Sequence, residues 1–171
     1  MSGSSIVEQI NTKGYVKFSE PGGLDLIGLD NFELLNREDR LRDNGEKDLH
    51  PELVSRLNLF SQHLSHTYIK PNWNDSEFMY WIVWEGVDND NTGWHTDFME
   101  QYDLFFLYYF DDTDPSTGGS ISFKWDGDQV EQHHPKAGDL ILINNHKGFW
   151  HKAEHTPLQR RVASFNFKVN G

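Results

Sequence analysis

Short runs in which apolar and polar positions alternate, or in which apolar residues follow one another unbroken, recur through much of the chain and predict a β-rich fold. Segments of this kind, rich in aromatic and β-branched residues, fall at about Tyr15 to Phe18, Phe78 to Trp84, Trp94 to Phe98, Leu104 to Phe110, Ser120 to Trp125, Gln129 to His133, Asp139 to Asn144, Phe149 to Ala153 and Arg160 to Val169. Turn-forming stretches separate them: Asp88 to Gly93, Asp111 to Gly119, Asp126-Gly127-Asp128 and Pro135-Lys136-Ala137-Gly138. Many short strands with such punctuation imply a sandwich or a barrel. One stretch has helical periodicity instead. Leu53, Leu57, Phe60 and Leu64 share a face, and Pro51 stands where a first-turn proline is tolerated. This helix is expected to lie across the outside of the sheet. The densely charged stretch from Asn36 to Lys47, with Asn44-Gly45 as a turn signal, reads as a solvated loop.

Composition narrows the function classes. The 171 residues suit one domain, 1–171, able to bury a core without covalent staples. Twenty-seven acidic residues against 15 basic ones give a net charge of −12, which repels nucleic acid backbones and anionic membrane surfaces. There is no cysteine, so neither disulfides nor thiolate metal sites are available. No leader-like segment opens the sequence and no apolar run reaches membrane-spanning length, so a soluble cytoplasmic protein is the expectation.

Against that background, His95-Thr96-Asp97 gains meaning from its surroundings. By itself the tripeptide is weak, since about one His-x-Asp arises by chance in a chain with nine His. On a strand, however, residues two apart face the same way, so His95 and Asp97 would present an imidazole and a carboxylate side by side. An ionised Asp there would need a cation, and the bland alternative is a pair exposed at a strand end. Adding a distant histidine, His151, gives a set able to hold a divalent iron on one face. Ten residues beyond it stands Arg161, which shares a face with Ala163, Phe165, Phe167 and Val169. A guanidinium on that more apolar side needs an anion, either a protein carboxylate or that of a ligand. Arg160 would then face outward, and a slip of one residue would exchange the two.

These residues resemble the iron(II)- and 2-oxoglutarate-dependent oxygenases over roughly Phe78 to Val169. The strand Tyr80 to Trp84 leads into His95-Thr96-Asp97. Leu104 to Asp112 is similar to the long apolar strand that follows, and Gly118-Gly119-Ser120-Ile121 to a glycine-marked turn into a strand. Pro135 to Leu142 resembles the element before the distal histidine, for which His151 stands, and Arg161 matches the residue that binds the far carboxylate of 2-oxoglutarate. The resemblance implies a double-stranded β-helix, a jelly-roll core with one or two supporting helices. It implies Fe(II) held by His95, Asp97 and His151, with 2-oxoglutarate and dioxygen as co-substrates. Oxidative decarboxylation to succinate and carbon dioxide would drive hydroxylation of a peptide residue such as prolyl, a free amino acid or a small metabolite. Halogenating relatives lack the acidic ligand, so Asp97 favours hydroxylation.

Two features depart from the family pattern. Some members share the distal carboxylate with a Ser two residues after the Arg; here that place is Ala163, and Tyr109 is the candidate for the second contact, with core packing as its bland alternative. Many members of the prolyl 4-hydroxylase branch carry Lys where this chain has Arg161. Trp81, Trp84, Trp94 and Trp150 could wall a substrate pocket, although packing alone would account for each. His63, His66, His133, His134, His146 and His155 read as solvated or locally bonded. Two rival functions stay open: a non-catalytic jelly-roll binding module, and a cupin-like metalloenzyme without 2-oxoglutarate, in which Arg161 would pair with a protein acid.

Overall fold

The computed structural model describes residues 4–18, 26, 51–86, 93–96, 102–158 and 160–170. Eight strands are present among them: β1 Tyr15–Phe18, β2 Asp75–Gly86, β3 Leu104–Tyr109, β4 Ile121–Trp125, β5 Glu131–His133, β6 Leu140–Asn144, β7 Phe149–Ala153 and β8 Arg160–Asn170. They form a five-stranded sheet in the order β1-β6-β3-β8-β2 and a three-stranded sheet in the order β5-β4-β7, with every pairing between these strands antiparallel. The two sheets face each other as the double-stranded β-helix that the family resemblance implies.

Alternation along the central strands sorts side chains into two apolar layers. One face of the large sheet contributes Phe106 and Tyr108 of β3, Leu140 and Leu142 of β6, and Ala163, Phe165 and Phe167 of β8. The helix α2, Pro51–Leu64, covers that face with Leu53, Leu57, Phe60 and Leu64. Phe60 stands edge-on to Tyr108 and Phe165, at centroid distances of 5.3 and 5.4 Å. Trp81 is fully buried in this layer, and its indole N–H donates to Asn58 Oδ1 on the helix at 2.8 Å. The opposite face turns Phe105, Leu107, Tyr109, Ile141, Ile143 and Val162 toward Ile121, Phe123 and Phe149 of the small sheet. This second layer is the interior of the barrel.

Several boundaries differ from the sequence expectation. The strand expected at Gln129 pairs only over Glu131–His133, at the edge of the small sheet. Of the stretch Trp94 to Phe98, the described part makes a single bridge, between His95 and His151, while Asp97 and Phe98 lie outside the described residues. The charged stretch Asn36 to Lys47 lies outside them as well. A helix that periodicity does not signal, α1 Ile6–Lys13, precedes β1. Eight residues with few apolar positions are too short to show a repeat, and caps define this helix instead. Ser5 Oγ accepts from Glu8 N–H at 3.1 Å, and α2 runs on into a π-helical turn, Ser65–Ile69. Among the described residues no helix is long and apolar enough to cross a membrane.

Gly14 ends α1 in a left-handed conformation, φ 86°, with its N–H donating to Ile10 O at 3.1 Å. A Cβ built there would lie 2.2 Å from the Phe149 ring of the barrel interior. Backbone strain and this overlap act together, so Gly14→Ala should lower the free energy of unfolding by about 2 kcal/mol or more, read from urea titration midpoints. A change within about 0.5 kcal/mol, the range of an ordinary surface substitution, would show that the helix end does not depend on this contact.

Candidate active site

The site begins with a backbone pairing. His95 N–H donates to His151 O and His151 N–H to His95 O, each at 3.0 Å. Residues opposed in such an antiparallel pair send their side chains to the same face. The two imidazole rings accordingly meet, with centroids 4.3 Å apart and planes at 59°. His151 is buried because β7 alternates Phe149 and His151 inward with Trp150 and Lys152 outward. Phe105 of β3 packs beside its ring at 5.8 Å, which puts the pair against the barrel interior.

His95 Nδ1 lies 2.6 Å from Gly93 O. A carbonyl can only accept, so Nδ1 carries the proton and the lone pair is on Nε2. Fixing the tautomer through a backbone carbonyl is the usual arrangement for a metal-binding histidine. Two convergent imidazoles therefore fit a first-row divalent metal as nitrogen donors. Among the described residues no third His, Asp or Glu completes a cluster around them. Asp97, the carboxylate expected beside them, lies outside the described residues.

The two adjacent arginines at the start of β8 part company. Arg161 lies on the helix-covered side with Ala163, Phe165 and Phe167, and its guanidinium is engaged by Asp111: Nε donates to Oδ2 at 3.0 Å and Nη2 to Oδ1 at 2.7 Å. Of the two anions open to Arg161 from sequence, a protein carboxylate is the one engaged here. The arginine's face is indeed the more apolar one, but that face is buried by α2 rather than lining the barrel. Arg160 takes the other face, alternating with Val162, Ser164 and Asn166. It is 4% exposed, and Nη1 donates to Glu154 O at 3.0 Å.

Tyr109 shares the interior with Arg160. It pairs in register with Val162, two residues along β8 from Arg160. Burial first, with Asp139 adding to it and Arg160 opposing it, pushes the Tyr109 hydroxyl above the usual phenol range. At neutral pH it is a neutral O–H and can donate to an anion. Burial also lowers the Arg160 guanidinium from its ordinary value, with Tyr109 opposing the shift. Such a group remains a cation under physiological conditions. A buried guanidinium and a phenol on one face are donors suited to a carboxylate.

Further along β8, Ser164 Oγ lies 3.3 Å from Asn166 Oδ1, and Asn166 Nδ2 donates to Tyr80 O at 3.2 Å. The interior wall beside the histidines is therefore partly polar. Composition does not single out Arg160, Ser164 or Asn166; their signal is the strict period of two along β8, read from the opposite face. Three of the tryptophans considered as pocket walls have other surroundings. Trp81 belongs to the helix-covered layer, Trp94 lies under the ammonium groups of Lys124 and Lys152, and Trp150 donates to Asp126. The side chain of Trp84 is outside the described set. His133, expected to be solvated or locally bonded, instead reaches across the fold, with Nε2 2.7 Å from the Tyr15 hydroxyl.

Comparison with known proteins identifies the family and the fold. The family model described as the 2OG-Fe(II) oxygenase superfamily matches residues 78–168. No curated protein matches the sequence. The structure is similar to a prolyl hydroxylase in complex with a hypoxia inducible factor peptide fragment from Trichoplax adhaerens, with TM-score 0.69 and 16% identity over 96% of this chain and 87% of that one. It is also similar to a Pseudomonas putida prolyl-4-hydroxylase, with TM-score 0.62 and 13% identity over 97% and 98% of the two chains. HygX from Streptomyces hygroscopicus, solved with nickel and 2-oxoglutarate bound, gives TM-score 0.68 and 12% identity over 96% and 86%. At these identities the structural likenesses establish the shared fold, while the family match spans more than half of the chain. The chain belongs to the 2OG-Fe(II) oxygenase superfamily, whose cofactor and co-substrate are iron(II) and 2-oxoglutarate.

Proposed function

We propose that this protein is an iron(II)- and 2-oxoglutarate-dependent hydroxylase, with His95, His151 and Asp97 as metal ligands. The observation that carries the reading is the convergence of the His95 and His151 rings on the barrel interior that also receives Arg160 and Tyr109. The bound iron and 2-oxoglutarate supply the oxidising chemistry, consuming dioxygen and releasing succinate and carbon dioxide. The protein's part is to bind and orient. His95, held by Gly93 O, directs Nε2 at the metal, and His151 supplies the second nitrogen from a buried strand. Arg160 and Tyr109 grip the distal carboxylate of the co-substrate, in place of the pairing of Arg161 with Tyr109 read from sequence. Phe105 and the surrounding aromatic layer exclude water from the reacting centre.

A peptide residue such as prolyl is the favoured substrate class, supported by the prolyl hydroxylases among the structural neighbours. Free amino acids and small metabolites complete the panel to be assayed. The cupin-like alternative draws on one specific observation, the pairing of Arg161 with Asp111. It leaves the inward, buried Arg160 without a role.

Purified protein supplied with Fe(II) should release succinate from 2-oxoglutarate in air and not under anaerobic conditions, and N-oxalylglycine should compete. Metal-dependent turnover indifferent to both 2-oxoglutarate and N-oxalylglycine would favour the cupin-like reading, and absence of metal binding would favour a non-catalytic module. Arg160→Ala should weaken 2-oxoglutarate binding by about 1.5 to 3 kcal/mol, roughly tenfold to a hundredfold, the scale of a charge-assisted hydrogen bond. Calorimetric titration in the presence of metal reads this directly, and unchanged affinity would move the anion site elsewhere.

A further inference from the structure

We infer that Asp111 is a positioning residue for the co-substrate site: by binding Arg161 on the outer face, it holds the start of β8 so that the neighbouring Arg160 stays inside the barrel. The inference rests on the proposed role of Arg160. Two consecutive arginines open β8, directly after the turn through residues 154–158, and either could be drawn toward an anion in the interior. Ala163, Phe165 and Phe167, all fully buried, fix the register of the strand's body. The first residues of a strand lack that anchorage and fray first.

Asp111 supplies the anchorage. Its carboxylate receives three donors from one residue: Arg161 backbone N–H at 2.8 Å and Nε at 3.0 Å on Oδ2, and Nη2 at 2.7 Å on Oδ1. Next to it, Phe110 N–H donates to Arg161 O at 3.1 Å. Backbone and side chain of Arg161 are thereby tied to the end of β3, the strand that carries Tyr109. Turning Arg161 inward would break all three contacts with Asp111 and leave a carboxylate on a largely buried face without its partner. With Arg161 held outward, alternation sends Arg160 to the face of Tyr109, Val162 and Ser164. A two-pronged guanidinium–carboxylate contact is directional, which a single ammonium contact is not.

The test compares 2-oxoglutarate with 2-oxopentanoate, a 2-oxo acid of equal length lacking the distal carboxylate, in calorimetric titrations of the anaerobic Fe(II)-loaded protein. Wild type should prefer 2-oxoglutarate. In Asp111→Asn that preference should fall by about fivefold or more, while 2-oxopentanoate affinity stays within roughly twofold, because only the distal carboxylate senses Arg160. An unchanged preference, or equal weakening of both acids, would overturn the inference, since a merely structural role moves both alike. Arg161→Lys, which keeps the charge but not the fork, serves if Asp111→Asn does not fold; it should lose part of the preference, and a wild-type preference in it would equally overturn the inference. Wild type showing no preference between the acids would instead refute the proposed role of Arg160 itself.

Discussion

The constraint on which the site depends is the two-residue alternation of β8. This strand lies between β3 and β2 in the large sheet, so each of its side chains must enter either the layer beneath α2 or the interior of the barrel. Ala163, Phe165 and Phe167 go to the helix-covered layer, where burial of a Phe is worth on the order of 2 to 3 kcal/mol, and this commits Val162, Ser164 and Asn166 to the interior, while at the strand's start Asp111 holds Arg161 in the same alternation. Shifting the register by one residue would place the phenylalanines in the chamber and the polar residues under the helix. Hydrophobic burial along the strand's body thus sets the alternation that the two arginines at its start follow.

The histidine pair obeys the same logic on the small sheet. Phe149 anchors β7 in the interior apolar layer, and alternation brings His151 to that face two residues later. Reciprocal backbone hydrogen bonds then fix His95 opposite it, so the approach of the two rings comes from main-chain pairing between segments far apart in sequence. Groups mounted on paired backbone keep their geometry more closely than groups on a loop. The hydrogen bond from His95 Nδ1 to Gly93 O adds the tautomer to what the backbone dictates.

Most of the architecture was legible in the sequence because its signals are local. The turns at Asp126-Gly127 and Pro135 to Gly138 bound strands within a residue or two of where they occur, and Leu53, Leu57, Phe60 and Leu64 marked a helix that covers the sheet. Family membership was legible as well, through the ordered motifs between Phe78 and Val169. The orientation of the arginines was not. Alternation puts Arg161 on one face with Ala163, Phe165 and Phe167, but pattern alone does not say whether that apolar face meets helices or the chamber. A ligand-lining face must keep polar groups, so the mixed face bearing Ser164 and Asn166 was the better candidate for the interior. Asp111 could not be matched to Arg161 from sequence, because fifty positions separate them and only the β3–β8 pairing brings them together. Tyr109 was placed by the same pairing beside Arg160.

The central claim is that Arg160, not its neighbour, faces the interior proposed to hold the metal. A crystal structure of the protein with Mn(II) and N-oxalylglycine measures this most directly. The account requires electron density for the metal between His95 and His151, and the distal carboxylate of the inhibitor within hydrogen-bonding distance of the Arg160 guanidinium and the Tyr109 hydroxyl. Density placing that carboxylate on Arg161, with Asp111 displaced, would contradict it.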